Sequence, residues 1–211
     1  MPDKYANFAD LAAHEPTSAY RITLAKPGGS VVAHIAIHGG AIEPATTQLA
    51  GHAATAGTHD FYSFEGIKSS GNKDLHLTAT HFDEPQALSL VGGVDFTISW
   101  HGAADQPTGP PAQTLLGGAD TDLATHIGDA LTAAGFYVAS TTPTEIGAKS
   151  PDNIANKNHN GMGVQLEITN SQRALFFENG NLARSWIEDS SHWKPSFYAY
   201  TDAVNSAITV P

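Results

Sequence analysis

The chain has 211 residues, 41% of them hydrophobic, and a formal net charge of −11. That length and apolar content suit one soluble globular domain over residues 1–211 and exclude a disordered chain. There is no cysteine, which rules out disulfides, thiolate metal sites and a cysteine nucleophile.

Any bound transition metal must therefore take imidazole and carboxylate ligands, and eleven histidines are at hand. Ten Lys and Arg face twenty-one acids with no basic run, which argues against nucleic-acid or membrane-surface partners. The same charge repels a polyanion at long range, so binding one needs a local cationic patch or a metal. No apolar run approaches the roughly 18–20 residues of a membrane-spanning helix. The opening "MPDKYANFADLAAHEPTS" has no apolar core behind a basic head. The expectation is a soluble monomer made in the cytoplasm, with release by cell lysis left open.

The first expected strand is "YRITLAK" (20–26), closed by a turn at Pro27-Gly28-Gly29. "VVAHIAIHG" (31–39) follows, with Val31, Ala33, Ile35 and Ile37 on one face and His34 on the same face as His38. Residues 44–56 read as a helix, with Glu43 near its start and Gly57 as its stop. "DFYSFEG" (60–66) and "HLTATHF" (76–82) read as strands, and a helix is expected from Glu84 to Leu90 with Pro85 in its first turn. "DFTISWHG" (95–102) is a strand that again ends in His-Gly. "TDLATHIGDALTAAG" (121–135) is the clearest amphipathic helix, and "FYVASTT" (136–142) returns as a strand. A polar loop (143–162), the strand "GVQLEIT" (163–169), a helix from Ser171 to about Phe177 and a helical tail (195–208) complete the chain. Alternating strands and helices indicate an α/β sandwich with a largely parallel sheet, whose ligands bind beyond the carboxyl ends of the strands.

His38, His101 and Glu167 all fall at or near such ends. A hydrolytic zinc site commonly takes three ligands of the His/His/Glu type and leaves one position for water. His38, Glu43 and His101 fit as ligands, and Glu167 as a general base. Gly39 and Gly40 allow the bend that returns Glu43 to His38, a loop chelation distinct from the helical HExxH pattern. Each residue also has a plainer explanation. Glu43 fits as a first-turn acid favoured by the helix dipole, and His101 as a strand-end histidine bonded to backbone. Glu167, between Leu166 and Ile168, fits as a structural acid with a partner. His76 and His81, five apart on one expected strand, fall on opposite faces and make poor joint ligands.

The runs "HGGAIEPATT", "LHLTATHFDEP", "SWHG", "SPDNIANK" and "GVQLEITNSQR" resemble, in order, the phage-type poly-γ-glutamate hydrolases, zinc enzymes related to the carboxypeptidase A superfamily. The resemblance extends from about Tyr5 to the C-terminal helix. It implies a carboxypeptidase-like three-layer α/β/α sandwich with a mixed, largely parallel sheet. It also implies one zinc per chain, on His38, Glu43 and His101, with Glu167 as the catalytic glutamate. The implied substrate is poly-γ-glutamate, an anionic capsule polymer cut at its γ-amide bonds. Each unit of that polymer carries a free α-carboxylate, for which Arg173 and Lys157 are the candidate cations and Asn153 and Asn156 the neutral donors. His81 and Asp83 lie in a matching motif, where a carboxylate could orient a ligating imidazole. Two other readings stay open: a peptidoglycan γ-glutamyl amidase with the same chemistry, and a zinc-containing binding module of the same fold without turnover.

Overall fold

A computed structural model describes residues 3–208 of the chain. In chain order the elements are α1 (Phe8–His14), β1 (Tyr20–Ala25), β2 (Val32–Gly40), α2 (Thr46–Gly57) and β3 (Asp60–Gly66). Then come α3 (Pro85–Val91), β4 (Phe96–Ala103), β5 (Thr114–Gly118), α4 (Thr121–Ala133), β6 (Val164–Thr169), α5 (Asn170–Leu175), α6 (Arg184–Ile187) and α7 (Pro195–Ser206). The sheet has six strands in the order β1-β3-β2-β4-β6-β5. The four inner strands run parallel and both edge strands antiparallel. All nine residues of β2 are buried, as a strand covered on both faces requires.

One face packs on α2, α4 and α7 around Trp100, Leu49, Ile127 and Tyr200. The other packs on α1 and α3 around Ile35, Ile37, Phe64 and Leu77. The result is the expected α/β/α layering with a mixed sheet. Beyond β2 the chain passes through α2 to β3 on one side, then returns to β4 on the other. The gap between the carboxyl ends of β2 and β4 is thus the point where strand order reverses, the usual ligand crevice of an open α/β sheet.

Three local expectations are corrected. Residues 76–82 form no strand. Their polar backbone groups go elsewhere: Thr78 N–H donates to Asp3, the Leu77 carbonyl accepts from His38, and the Ala79 carbonyl accepts from Ile154 N–H. Residues 136–142 contribute a single bridge, Val138 to Thr114, and the strand is instead β5. Its short "TLLGG" sequence, behind a proline-rich loop, carries little strand signal. The amino-terminal helix α1 was also unforeseen; Asn7 caps it by accepting from Asp10 N–H.

His34 shows how polar groups are kept inside this core. The Trp100 indole N–H can only donate, and it reaches His34 Nδ1 at 3.1 Å. His34 Nε2, which therefore carries the proton, donates to His59 Nδ1 at 3.0 Å. Burial, then the charge of His59, pushes the His34 imidazole down to about 3 from an ordinary 6.5. As pH falls below 6.5, the unfolded chain takes this proton first, so stability is full above that value and declines toward about 3. By about pH 4.5 this one group removes roughly 2–3 kcal/mol. His34→Gln keeps an acceptor and a donor without titrating, and is expected to flatten the acid limb in unfolding measurements across pH.

Candidate metal and catalytic site

The site begins with an irregularity in β2. Ala36 pairs with Ser63 and Gly39 with Glu65, so β2 spends one extra residue over this stretch. Such a bulge turns a strand and re-aims its side chains. His34 faces Trp100 on one side of the sheet. His38, expected on that same face, instead donates through Nε2 to the Leu77 carbonyl at 2.8 Å, against the opposite core.

The chain then bends through Gly39 and Gly40. A side chain at Gly39 would collide with Thr47 and Ser63, and Gly40 has φ 64°. Glu43 N–H donates to the His38 carbonyl at 2.8 Å and closes the loop. Ala45 then caps α2 with φ 81°, a left-handed backbone that costs about 1–2 kcal/mol for a residue other than glycine. Since α2 starts at Thr46, Glu43 lies outside its first turn and the helix dipole does not explain it.

The Glu43 carboxylate spans two strands. Its Oε1 lies 3.1 Å from His38 Nδ1, and its Oε2 accepts from Gly102 N–H at 2.8 Å. His101 Nδ1 is 3.1 Å from His38 Nδ1 and 3.7 Å from Glu43 Oε2. His101 Nε2 is 2.9 Å from Ser99 Oγ. With the ring protons assigned to Leu77 O and Ser99 Oγ, both Nδ1 lone pairs and the carboxylate converge on one point. Acceptors crowded in this way repel each other unless a proton or a metal cation lies between them. Burial works against a proton on His38, but the charge and hydrogen bond of Glu43 raise that imidazole above its ordinary value. A metal would take the proton's place. Tetrahedral zinc ligands at their usual bond lengths stand roughly 3.3 Å apart, close to these separations. The residues present fit a zinc ion.

A fourth group belongs to the cluster. His76 stacks on His38 with ring centroids 4.0 Å apart. It offers a ligand atom within 4.8 Å of ones on His38 and Glu43. Its Nδ1 is tied to Asp3 Oδ1 at 3.0 Å, however, leaving only Nε2 for the cluster. His38 and Glu43 thus have two imidazoles at hand, His76 within 4.8 Å and His101 with its Nδ1 3.1 Å from His38 Nδ1 and 3.7 Å from Glu43 Oε2. The sequence reading set His76 aside because it placed residues 76–82 on a strand.

Glu167 stands across from His101 in the β4–β6 ladder and is buried. Burial, then the charge of Glu43, pushes its carboxyl above the usual range, opposed by a hydrogen bond from Gln165. Burial works against the Glu43 carboxylate too, but the charge and hydrogen bond of His38, then His101 and Gly102, hold it below its ordinary value. Burial takes His101 down to about 3, so its imidazole is neutral. Two neighbouring carboxylates whose proton affinities are driven apart are a common signature of acid–base sites.

The other expected site residues have varied placements. Arg173 is 4% exposed, and its donors go to backbone carbonyls: Nε to Ile168, Nη1 to Pro44 and Nη2 to Ala103. It clamps the Glu43 loop to the end of β4. Gly102 permits this, since a side chain there would meet the guanidinium. Asn156 uses both amide hydrogens on the Ala148 and Ser150 carbonyls and accepts from Gly163 N–H, so it staples a loop. Asn153 lines the crevice but is bonded to Gln165 and Ala155. Lys157 is exposed and lines neither of the hollows beside the His–Glu cluster. His81 is exposed and bonded to Asp3, while Asp83 accepts from Phe8 N–H and anchors α1. The groups that do orient the His38 and His101 imidazoles are the Leu77 carbonyl and Ser99.

Two hollows, about 510 and 520 Å³, flank the cluster and share Glu43, His76 and Gly102 in their walls. Lys149 lines the first and Lys73 the second. A larger groove of about 740 Å³ along α4 lacks His38, Glu43 and His101 and meets the first hollow at Thr144 and Lys149.

Two imidazoles and the Glu43 carboxylate with a second, buried carboxylate beside them, at the crossover of an α/β sheet, make a set of groups that can hold a metal and move a proton next to it. The family described as Poly-gamma-glutamate hydrolase matches residues 5–203, and the chain belongs to that family. It is 40% identical over 182 residues to the SPbeta prophage-derived protein YoqZ of Bacillus subtilis (strain 168). That match covers 86% of this chain and 64% of YoqZ, so the chain spans just under two thirds of that relative. A bacteriophage poly-gamma-glutamate hydrolase superposes with TM-score 0.89 at 33% identity, covering 98% of this chain and 96% of that one. An apo, zinc-free structure of YndL gives TM-score 0.88 at 33% identity, covering 98% and 97%.

The Arg173 clamp makes a stability claim independent of catalysis. Arg173→Met strands three carbonyls in a partly buried setting and is expected to cost about 3–5 kcal/mol in denaturant unfolding. Arg173→Lys should recover only part of it, because one ammonium cannot span the same three acceptors.

Proposed function

We propose that the protein is a zinc-dependent hydrolase that cuts the γ-glutamyl amide bonds of poly-γ-glutamate. The observation that carries this reading is the convergence of His38, Glu43 and His101 on one point with Glu167 beside them. Family membership, the likeness to the phage hydrolase, and the zinc-free description of one YndL structure support it.

His38 and His101, through Nδ1, and Glu43 would hold one zinc per chain. Bound zinc lowers the pKa of its water to about 7 and polarises a carbonyl. Glu167 takes the proton of the attacking water and returns it to the departing amine nitrogen. The Gly102 N–H and the Arg173 clamp hold Glu43 in place, so the ligand set keeps its shape through the reaction. The polymer's α-carboxylates need cations in a chain of net charge −11. Lys149 and Lys73, on either side of the cluster, are placed to receive them, in the role the sequence reading gave to Lys157 and Arg173.

Metal analysis should find one zinc per chain, lost in His101→Ala and retained in His76→Ala; the reverse would move the third ligand to His76. Gel assays of poly-γ-glutamate should show depolymerisation by the wild type. Glu167→Gln should keep its zinc and lose roughly 10²–10⁴-fold in rate. Lys149→Gln and Lys73→Gln should each raise KM roughly two- to fivefold with little change in kcat, the range expected of exposed ion pairs. Cleavage of cell-wall γ-glutamyl peptides alone would overturn the substrate and leave the chemistry standing.

A further inference from the structure

We infer that Asn153 and Gln165 form a hydrogen-bond relay of fixed direction that orients Glu167, which makes both of them positioning residues of the site. The inference rests on the reading of Glu167 as the proton-transfer group. Its geometry is simple. Ala155 N–H donates to Asn153 Oδ1 at 3.0 Å. Asn153 Nδ2 donates to Gln165 Oε1 at 3.0 Å, and Gln165 Nε2 donates to Glu167 Oε1 at 2.7 Å. All three side chains are buried, at 3%, 5% and 6% exposure.

An amide side chain can be turned end for end, so its orientation must come from its partners. Here both ends of the chain of bonds are decided. A backbone N–H at residue 155 can only donate, which forces Asn153 to present its oxygen there and its nitrogen to Gln165. Gln165 must then offer oxygen to Asn153 and nitrogen to Glu167. Turning either amide would set N–H against N–H at one end or oxygen against oxygen at the other. The direction is thus set by a turn of backbone and not by any group of the cluster itself. It delivers a donor to one oxygen of Glu167 and leaves Oε2 for the crevice.

The sheet shows the same device twice. Ser99 pairs with Gln165 and His101 with Glu167 across β4 and β6. Residues two apart on a strand share a face, so each outer residue has an inner neighbour beneath it. Ser99 contacts His101 Nε2, and Gln165 contacts Glu167 Oε1. One inner rung steadies a metal ligand and the other steadies the general base.

Asn153→Asp is the discriminating variant. Aspartate caps Ala155 N–H as well as asparagine does, so a purely structural Asn153 predicts no effect. Its second oxygen can only accept, which turns the Gln165 amide and aims Oε1 at Glu167. In zinc-loaded protein we expect kcat on poly-γ-glutamate to fall about tenfold or more, the scale of a hydrogen bond to a charged group. KM and zinc content should stay near wild type, while the thermal midpoint falls because the variant buries an added carboxylate and sets oxygen against oxygen. Gln165→Met, which is neutral and keeps the side-chain length, should lose kcat in the same way and separates the lost donor from the added charge. It also decides the matter if the aspartate variant does not fold. Independently of activity, the Gln165 side-chain amide resonance in 15N-labelled protein should move in both Glu167→Gln and Asn153→Asp. Wild-type kcat in the folded variants, or an unmoved Gln165 resonance, would overturn the relay. A wild type that leaves the polymer intact would overturn the proposed function instead, and the resonance would still decide the relay.

Discussion

The Glu43 carboxylate, bonded at one oxygen to His38 and at the other to the backbone N–H of Gly102, ties the end of β2 to the end of β4. Much of the site depends on this bridge. It closes the crossover gap of the sheet and brings His38 and His101 within 3.1 Å of each other. It also places a negative charge beside Glu167, one of the forces that raise the proton affinity of that carboxyl. The arrangement costs folding energy, since it gathers lone pairs at one point and sets Ala45 in a left-handed backbone. The Arg173 clamp across Pro44 and Ala103 and the close approach of Gly39 to Thr47 offset that cost from outside the cluster. A bound dication would offset it from within.

Rigidity around the site comes from layering. His38, His101 and Glu167 stand at or near the carboxyl ends of three parallel strands, and the residues beneath His101 and Glu167, Ser99 and Gln165, are polar but paired. Ser99 and Gln165 are both buried, and each has a hydrogen-bond contact with the outer residue of its own strand, Gln165 accepting from Asn153 as well. The irregular segment 76–81 forms one wall, held by the Asp3 carboxylate, which collects Thr78, His76 and His81. Arg173 lines the second hollow together with Lys73, but its donors are bonded to backbone carbonyls, whereas Lys149 lines the first.

Much of this was legible in residue order. Strand-end histidines followed by glycine, and a glutamate five residues beyond His38, mark the donor set because strands and tight turns have local signatures. Glu167 stood out because an acid in an apolar strand needs a partner. What stayed hidden depends on contacts distant in sequence. Nothing near Arg173 says that its donors will be consumed by carbonyls at 44, 103 and 168. His76 read as a strand residue because the β-branched run around it has strand propensity. The backbone groups of residues 77–79 are nonetheless satisfied by Asp3, His38 and Ile154, partners brought from 39 to 75 positions away. Asn153 and Asn156 looked like free donors in a polar loop, yet burial makes every polar atom there find a partner.

The amino-acid sequence alone determined the α/β class, most of the strands and helices, the absence of thiol chemistry and the set of groups available to hold a metal. These follow from local periodicity, turn chemistry and composition. Only the tertiary structure decided which face His38 uses, because one extra residue in β2 reverses the alternation on which a strand pattern rests. It also decided which cations remain free for a ligand, and which amide points which way beneath Glu167. Those outcomes depend on which donors and acceptors meet once the chain is packed, and a linear pattern carries no record of that.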